Sequence, residues 1–120
     1  VEQEKSERGI QMREVLYAIR GPKTIFEMTW EEVAEALEET DMVIQPVGAT
    51  EQHGLHLPLG NDTIGTIEFC KRLALKLASE GIKALVGPPF PFGLSSYHMS
   101  FPGTITLHNE TWQNVVMDIL

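Results

Sequence analysis

The sequence predicts an α/β fold, and three observations carry that reading. Short β-branched runs alternate with longer stretches of helical periodicity. Gly and Pro punctuate the junctions between them. A capping-box pattern opens one helix and a glycine closes another. In chain order, Val1 to Gly21 is polar and mixed apart from an apolar patch at Val15, Leu16 and Ile19. It reads as an arm, or as a helix that packs on a partner, and Gly21-Pro22 breaks it. We assign residues 1–23 to this N-terminal arm and 24–120 to the domain proper.

Thr29-Trp30-Glu31-Glu32 is a capping box, with Thr29 as N-cap and Glu32 reaching back. Trp30, Val33, Ala34 and Leu37 then mark the expected buried face, with Trp30 as a core anchor. Glu31, Glu32, Glu35, Glu38 and Glu39 cover the solvated one. Met42 to Val47 reads as a strand, with Pro46 near its end where one lost N–H is tolerable. Gly48 to Asn61 is a loop rich in Gly and His. Asp62 or Thr63 then caps a helix through about Ser79, and Ile64, Ile67, Cys70, Leu73, Ala74 and Leu77 form its inner face. Gly81 stops it. Ile82 to Val86 is the next strand, so strand, helix and strand give a parallel pair. Gly87 to Gly103 is a long loop with Pro88, Pro89, Pro91 and Pro102, and loops of that length are usually functional or disordered. Thr104 to Leu107 is a third short strand. Asn109 caps a last helix whose stripe is Trp112, Val115, Val116 and Ile119. That stripe is still running at Leu120, and the chain opens on Val1, so more polypeptide is expected after residue 120.

The 120 residues carry 9 Lys and Arg against 17 Asp and Glu, a formal charge of −8. That balance argues against nucleic-acid and anionic-membrane partners, which need clustered cations. No apolar run approaches the ~18 residues of a membrane span. Cys70 stands alone, which excludes an intramolecular disulfide and a thiolate zinc site, and a reducing, cytoplasmic setting is expected.

In open α/β sheets ligands bind beyond the carboxyl ends of the strands. The loops after Val47 and Val86 both leave those ends. The first places Glu51 and His53 two residues apart, on one side of an extended segment, with Asp62 at the start of the next helix. Such an O/N donor set suits Zn2+ or Mn2+ better than Ca2+. Asp62 is equally suited to a purely structural post, because Asp is a favoured N-cap.

The segment Pro46-Val-Gly-Ala-Thr-Glu-Gln-His-Gly-Leu-His-Leu-Pro-Leu-Gly-Asn-Asp62 resembles the motif of the creatininase (creatinine amidohydrolase) family, as does Phe101-Pro-Gly-Thr-Ile-Thr-Leu107. The spacing between them agrees too, and the likeness runs from about Thr24 to Leu120. The resemblance implies a three-layer α/β/α sandwich with a mostly parallel central sheet, of which this chain is the N-terminal part. It implies a binuclear metal hydrolase, usually a homo-hexamer, in which an activated hydroxide attacks a small cyclic amide or related C–N bond. Relatives also act on formamides, peptides and a C–C bond of a keto-inositol. A further alternative is a non-catalytic, truncated subunit. The cofactors implied are two divalent ions, Zn2+ or Mn2+, with Fe2+ a further option. The family's metal ligands fall on Glu51, His53 and Asp62, with Asp62 bridging both ions. A second His and a carboxylate are implied from a Gly-His loop beyond Leu120, in the remainder of the protein or on another polypeptide. His98 and Ser95 are candidate substrate contacts, and His56 has a supporting or loop-packing role. Many members carry an acidic residue where Tyr97 stands here, a difference that bears on the pocket.

Overall fold

Apolar β-branched residues form the centre. In the computed structural model, which describes residues 13–14 and 18–120, β1 (Val43–Ile44) pairs in parallel with β2 (Leu85–Val86). Val43 lies opposite Leu85 and Ile44 opposite Val86. Both strands are shorter than the sequence predicts. Pro46 has no N–H to give, so beyond Ile44 the pairing survives only as a bridge between Val47 and Phe90. Ile82 is recruited by the preceding helix, donating its N–H to the Leu77 carbonyl at 2.9 Å, so the second strand starts late. The predicted third strand, 104–107, is reduced to single bridges: Ile105 with Thr50, antiparallel, and Thr106 with Gly93, parallel. It is a clasp between two loops and not a member of the sheet.

The chain has three helices among the described residues, α1 (Trp30–Leu37), α2 (Asn61–Ser79) and α3 (Asn109–Ile119), and α2 packs on β2. Short 3-10 turns occupy Ile25–Glu27 and Ser96–His98. The predicted capping box on α1 is complete, with Thr29 Oγ1 accepting from Glu32 N at 3.2 Å and Glu32 Oε1 accepting from Thr29 N at 3.3 Å. Its buried face is not the predicted one. Trp30 is 78% exposed, whereas Ala36 is buried, so Trp30 is no core anchor. Two ion pairs lie on the face that is turned inward: Lys23 with Glu32 at 3.0 Å, and Lys83 with Glu39. The Glu32, Ala36, Glu39 stripe faces β2 across a cleft of about 390 Å3.

The inner face of α2 follows the prediction. Cys70 and Ala74 meet Val86 in the core, with Ile44 packed beside them. Burying Val86 alone contributes roughly 1.5–3 kcal/mol. Burial pushes the Cys70 thiol above its ordinary pKa, in keeping with a core role. The start of α2 is a correction. The helix begins at Asn61 with Gly60 in the cap position, so Asp62 lies inside the first turn and caps nothing. Gly81 ends the helix as expected, at φ +81°. Lys71, on the same inner face, is almost fully enclosed and bonds the Ile19 carbonyl at 3.3 Å and Glu27 at 3.2 Å. Of the predicted apolar patch in the arm, Val15 and Leu16 lie outside the described residues.

At α3, His108 takes the cap position and Asn109 is the first helical residue. Trp112, Val115 and Val116 are half-buried and Ile119 is exposed, so this helix has an open apolar side among the described residues. No helix of the described residues is long and apolar enough to cross a membrane.

Candidate metal centre

The loop that leaves β1 is held on both sides before it reaches its functional residues. Gly48 N–H bonds the Phe90 carbonyl at 2.9 Å, and Thr50 Oγ1 bonds the Pro91 carbonyl at 2.7 Å. Ile105 N–H bonds the Thr50 carbonyl at 2.9 Å. Thr63, in the first turn of α2, reaches the Ala49 carbonyl at 3.3 Å. Gly48 lies so close to that turn that any Cβ would overlap it. The motif Phe101-Pro-Gly103-Thr104 supports the far side. Gly103, at φ +88°, lies under Leu59, whose carbonyl accepts the Glu51 N–H at 3.1 Å. Thr104 Oγ1 accepts the Gln52 N–H at 3.2 Å.

This frame brings Glu51, His53 and Asp62 together, each offering one ligand atom, all within 4.8 Å of one another. His53 Nε2 lies 2.9 Å from Asp62 Oδ1, and His53 Nδ1 lies 3.2 Å from the Glu51 carbonyl. A carbonyl only accepts, so Nδ1 carries the proton and Nε2 is the nitrogen turned toward Asp62. The Glu51 carbonyl, with help from the Asp62 and Glu51 carboxylates, raises the His53 pKa against the opposing pull of partial burial. A proton on Nε2 thus sits where a cation would, between an imidazole and a carboxylate.

The donor set fits a divalent ion. Ligands of one tetrahedral zinc lie about 3.4 Å apart, given bonds of about 2.0–2.2 Å. The observed spread needs only a small closure for one ion, or suits donors divided between neighbouring ions. Asp62 gains from its place in the first turn of a 19-residue helix, where unpaired N–H groups favour a carboxylate.

The remaining predicted residues are placed as follows. His98 stands beside the cluster, its Nε2 4.0 Å from Glu51 Oε2. Ser95 is 1% exposed, and its Oγ is a buried side-chain atom without a hydrogen-bond partner. Its N–H is tied to Thr106 Oγ1 at 2.9 Å. His56 is exposed at the loop's turn and makes no side-chain hydrogen bond to the cluster. Tyr97 is exposed and stacks at a tilt on His98, centroids 4.3 Å apart. Sequence reasoning passed over Gln52, whose side chain bonds both His98 and Gly54. Its position between two candidate ligands was the available signal.

A family model for creatininase, described as creatinine amidohydrolase, matches residues 26–120. The chain belongs to the creatininase family. It is 38% identical over 106 residues to creatinine amidohydrolase of Pseudomonas putida, covering 82% of this chain and 39% of the relative. It is 31% identical over 94 residues to 3-dehydro-scyllo-inosose hydrolase of Thermotoga maritima, covering 78% and 29%. It is 40% identical over 75 residues to the mycofactocin precursor peptide peptidase of Mycolicibacterium smegmatis, covering 55% and 27%. Among solved structures, a creatininase mutant of the Zn–Zn type superposes with a TM-score of 0.68 at 33% identity, over 82% of this chain and 39% of that one. A manganese creatininase superposes at 0.67 and 33% identity, over 81% and 39%. The fold is therefore the creatininase fold. The chain spans between about a quarter and two fifths of the length of these relatives.

Proposed function

We propose that this protein is a metal-dependent hydrolase of the creatininase type, acting on a small cyclic amide or a related C–N bond. The observation that carries the proposal is the convergence of Glu51, His53 and Asp62 within 4.8 Å. The Zn–Zn and manganese forms of the structural relatives support divalent ions as cofactors. Such ions, when bound, supply an acidified water and polarise the bond to be cut. The chain's own residues do the positioning. His53 is oriented by the Glu51 carbonyl so that Nε2 is its available nitrogen, once the proton has left. Glu51 and Asp62 supply two negative charges and four carboxylate oxygens, and Asp62 can give one oxygen to each of two ions. Three side chains do not complete two coordination shells, so the reading calls for a further His and carboxylate from another segment or subunit. It also carries the expectation of a hexamer.

A second reading keeps the ion clasp and changes the bond. The inosose hydrolase and the peptide peptidase among the relatives support it. A substrate panel of cyclic amides, formamides and short peptides, with Zn2+ or Mn2+ supplied, separates the two. The clasp itself is tested by Asp62→Ala in the intact protein, with bound metal counted by elemental mass spectrometry. Loss of both ions and of turnover is expected. A variant that keeps two ions per protomer and normal turnover refutes the assignment.

A further inference from the structure

We propose that Gln52 is a positioning residue: its side-chain amide fixes His98 as an Nε2–H donor facing Glu51, so that His98 offers the site a hydrogen bond for an acceptor oxygen and not a lone pair for a cation. The orientation of the amide follows from its partners. Gly54 N–H lies 3.0 Å from Gln52 Oε1, and a backbone N–H only donates, so that end of the amide is the oxygen. The other end is therefore the NH2 group, 3.0 Å from His98 Nδ1. An NH2 group only donates, so Nδ1 accepts, and the neutral ring carries its proton on Nε2. That N–H faces Glu51 Oε2 at 4.0 Å.

Little in this arrangement is free to turn. The Gln52 backbone is anchored by its N–H to buried Thr104, and Gly54 adopts φ +76°, which suits glycine. The His98 ring is braced by Tyr97 and, edge-on at 6.5 Å, by Phe101. An unprotonated Nε2 at this place would add a fourth donor beside Glu51 and draw a cation out of the Glu51, His53, Asp62 cluster. With the proton there, the same ring favours a carbonyl or carboxylate oxygen of the substrate. This consequence for ion and substrate rests on the hydrolase reading; the tautomer does not.

The tautomer is read by long-range proton–nitrogen correlation NMR on the intact, metal-free protein labelled at histidine nitrogens, with His98 assigned by its loss in His98→Asn. Wild type should show Nδ1 in the unprotonated range and Nε2 in the protonated range. Gln52→Glu replaces the donor with an acceptor and should reverse the two; Gln52→Ala should give a mixture. A wild-type His98 protonated on Nδ1 overturns the proposal without any variant having to fold, and so does an unchanged tautomer in both variants. Added zinc should shift the His53 nitrogens and leave His98 protonated on Nε2, and zinc-ligated His98 is a refutation. If zinc binds nowhere, the hydrolase reading fails while the tautomer result stands.

Discussion

Gly48→Ala tests how the site is held. A methyl group at this position would lie 2.3 Å from Thr63 Oγ1, 2.7 Å from Thr63 Cα and 2.8 Å from Thr63 N. The hydroxyl can rotate away, but the two backbone atoms cannot. Restoring ordinary contact requires the β1 exit and the first turn of α2 to separate by about 0.7 Å. Overpacking of this kind costs roughly 1–3 kcal/mol, and backbone on both sides puts this case near the upper end. For a chain of this size that lowers Tm by about 10 °C. The separation also moves Asp62, the neighbour of Thr63, away from its 2.9 Å contact with His53. Loss of supporting contacts typically weakens metal binding about 10- to 100-fold, and a loss in that range is expected for zinc. Gly65→Ala is the control: it lies inside α2 with nothing within 4 Å of the added carbon, so it should be neutral or stabilise by up to about 1 kcal/mol. Thermal unfolding and zinc titration of both variants provide the readout. The reasoning is wrong if Gly48→Ala matches wild type within about 0.5 kcal/mol and binds zinc as well, or if Gly65→Ala is equally damaging.

Two further outcomes follow from charged groups. His53 holds its proton above the ordinary histidine pKa of 6.5, through the Glu51 carbonyl and then Asp62, so zinc affinity should fall as pH drops through that raised value. Calorimetry below that raised value, in two buffers of different ionisation enthalpy, should find about one proton released per His53 ligated, and zero release there rejects His53 as a ligand. The Glu27 carboxyl is held below its ordinary 4.5 by the Thr24 backbone N–H and then Lys71, so its stabilisation is present above pH 4.5 and is lost as pH falls through the lowered value. Glu27→Gln should cost about 1–2 kcal/mol at pH 7, less than a fully buried pair because Glu27 is half exposed, and should flatten the acid limb of stability; urea unfolding at pH 7 and pH 4 checks both.

The elements most legible in the sequence are those governed by local chemistry. The Thr29–Glu32 box, the Gly81 stop and the inner face of α2 depend on residues within one or two turns of each other, and all three are present. What depended on distant partners was harder to read. The face that α1 turns inward carries Glu32 and Glu39, paired with Lys23 and Lys83, one of them 44 residues from its glutamate, and no periodicity encodes that. The burial of Lys71 depends on Glu27 and the Ile19 carbonyl in the same way. Thr24-x-x-Glu27 repeats the Thr29-x-x-Glu32 pattern, but only one half of the box forms: the Glu27 carboxylate accepts the Thr24 N–H at 3.0 Å, while the Glu27 N–H goes to the Thr24 carbonyl at 2.9 Å. The ligand trio was legible because motif and spacing keep it within twelve residues. Gln52 was not, because its partner His98 lies 46 residues on, in the other loop.

Gly103 bears on how such a protein diversifies. The Phe-Pro-Gly-Thr turn supports the ligand loop at two points, a bare α-carbon under Leu59 and a threonine hydroxyl on the Gln52 N–H, and neither uses the side chain of a candidate ligand. A chassis of that kind leaves the outward side chains free to change. The place to engineer a new specificity is then the rim of this frame and not the turn beneath it.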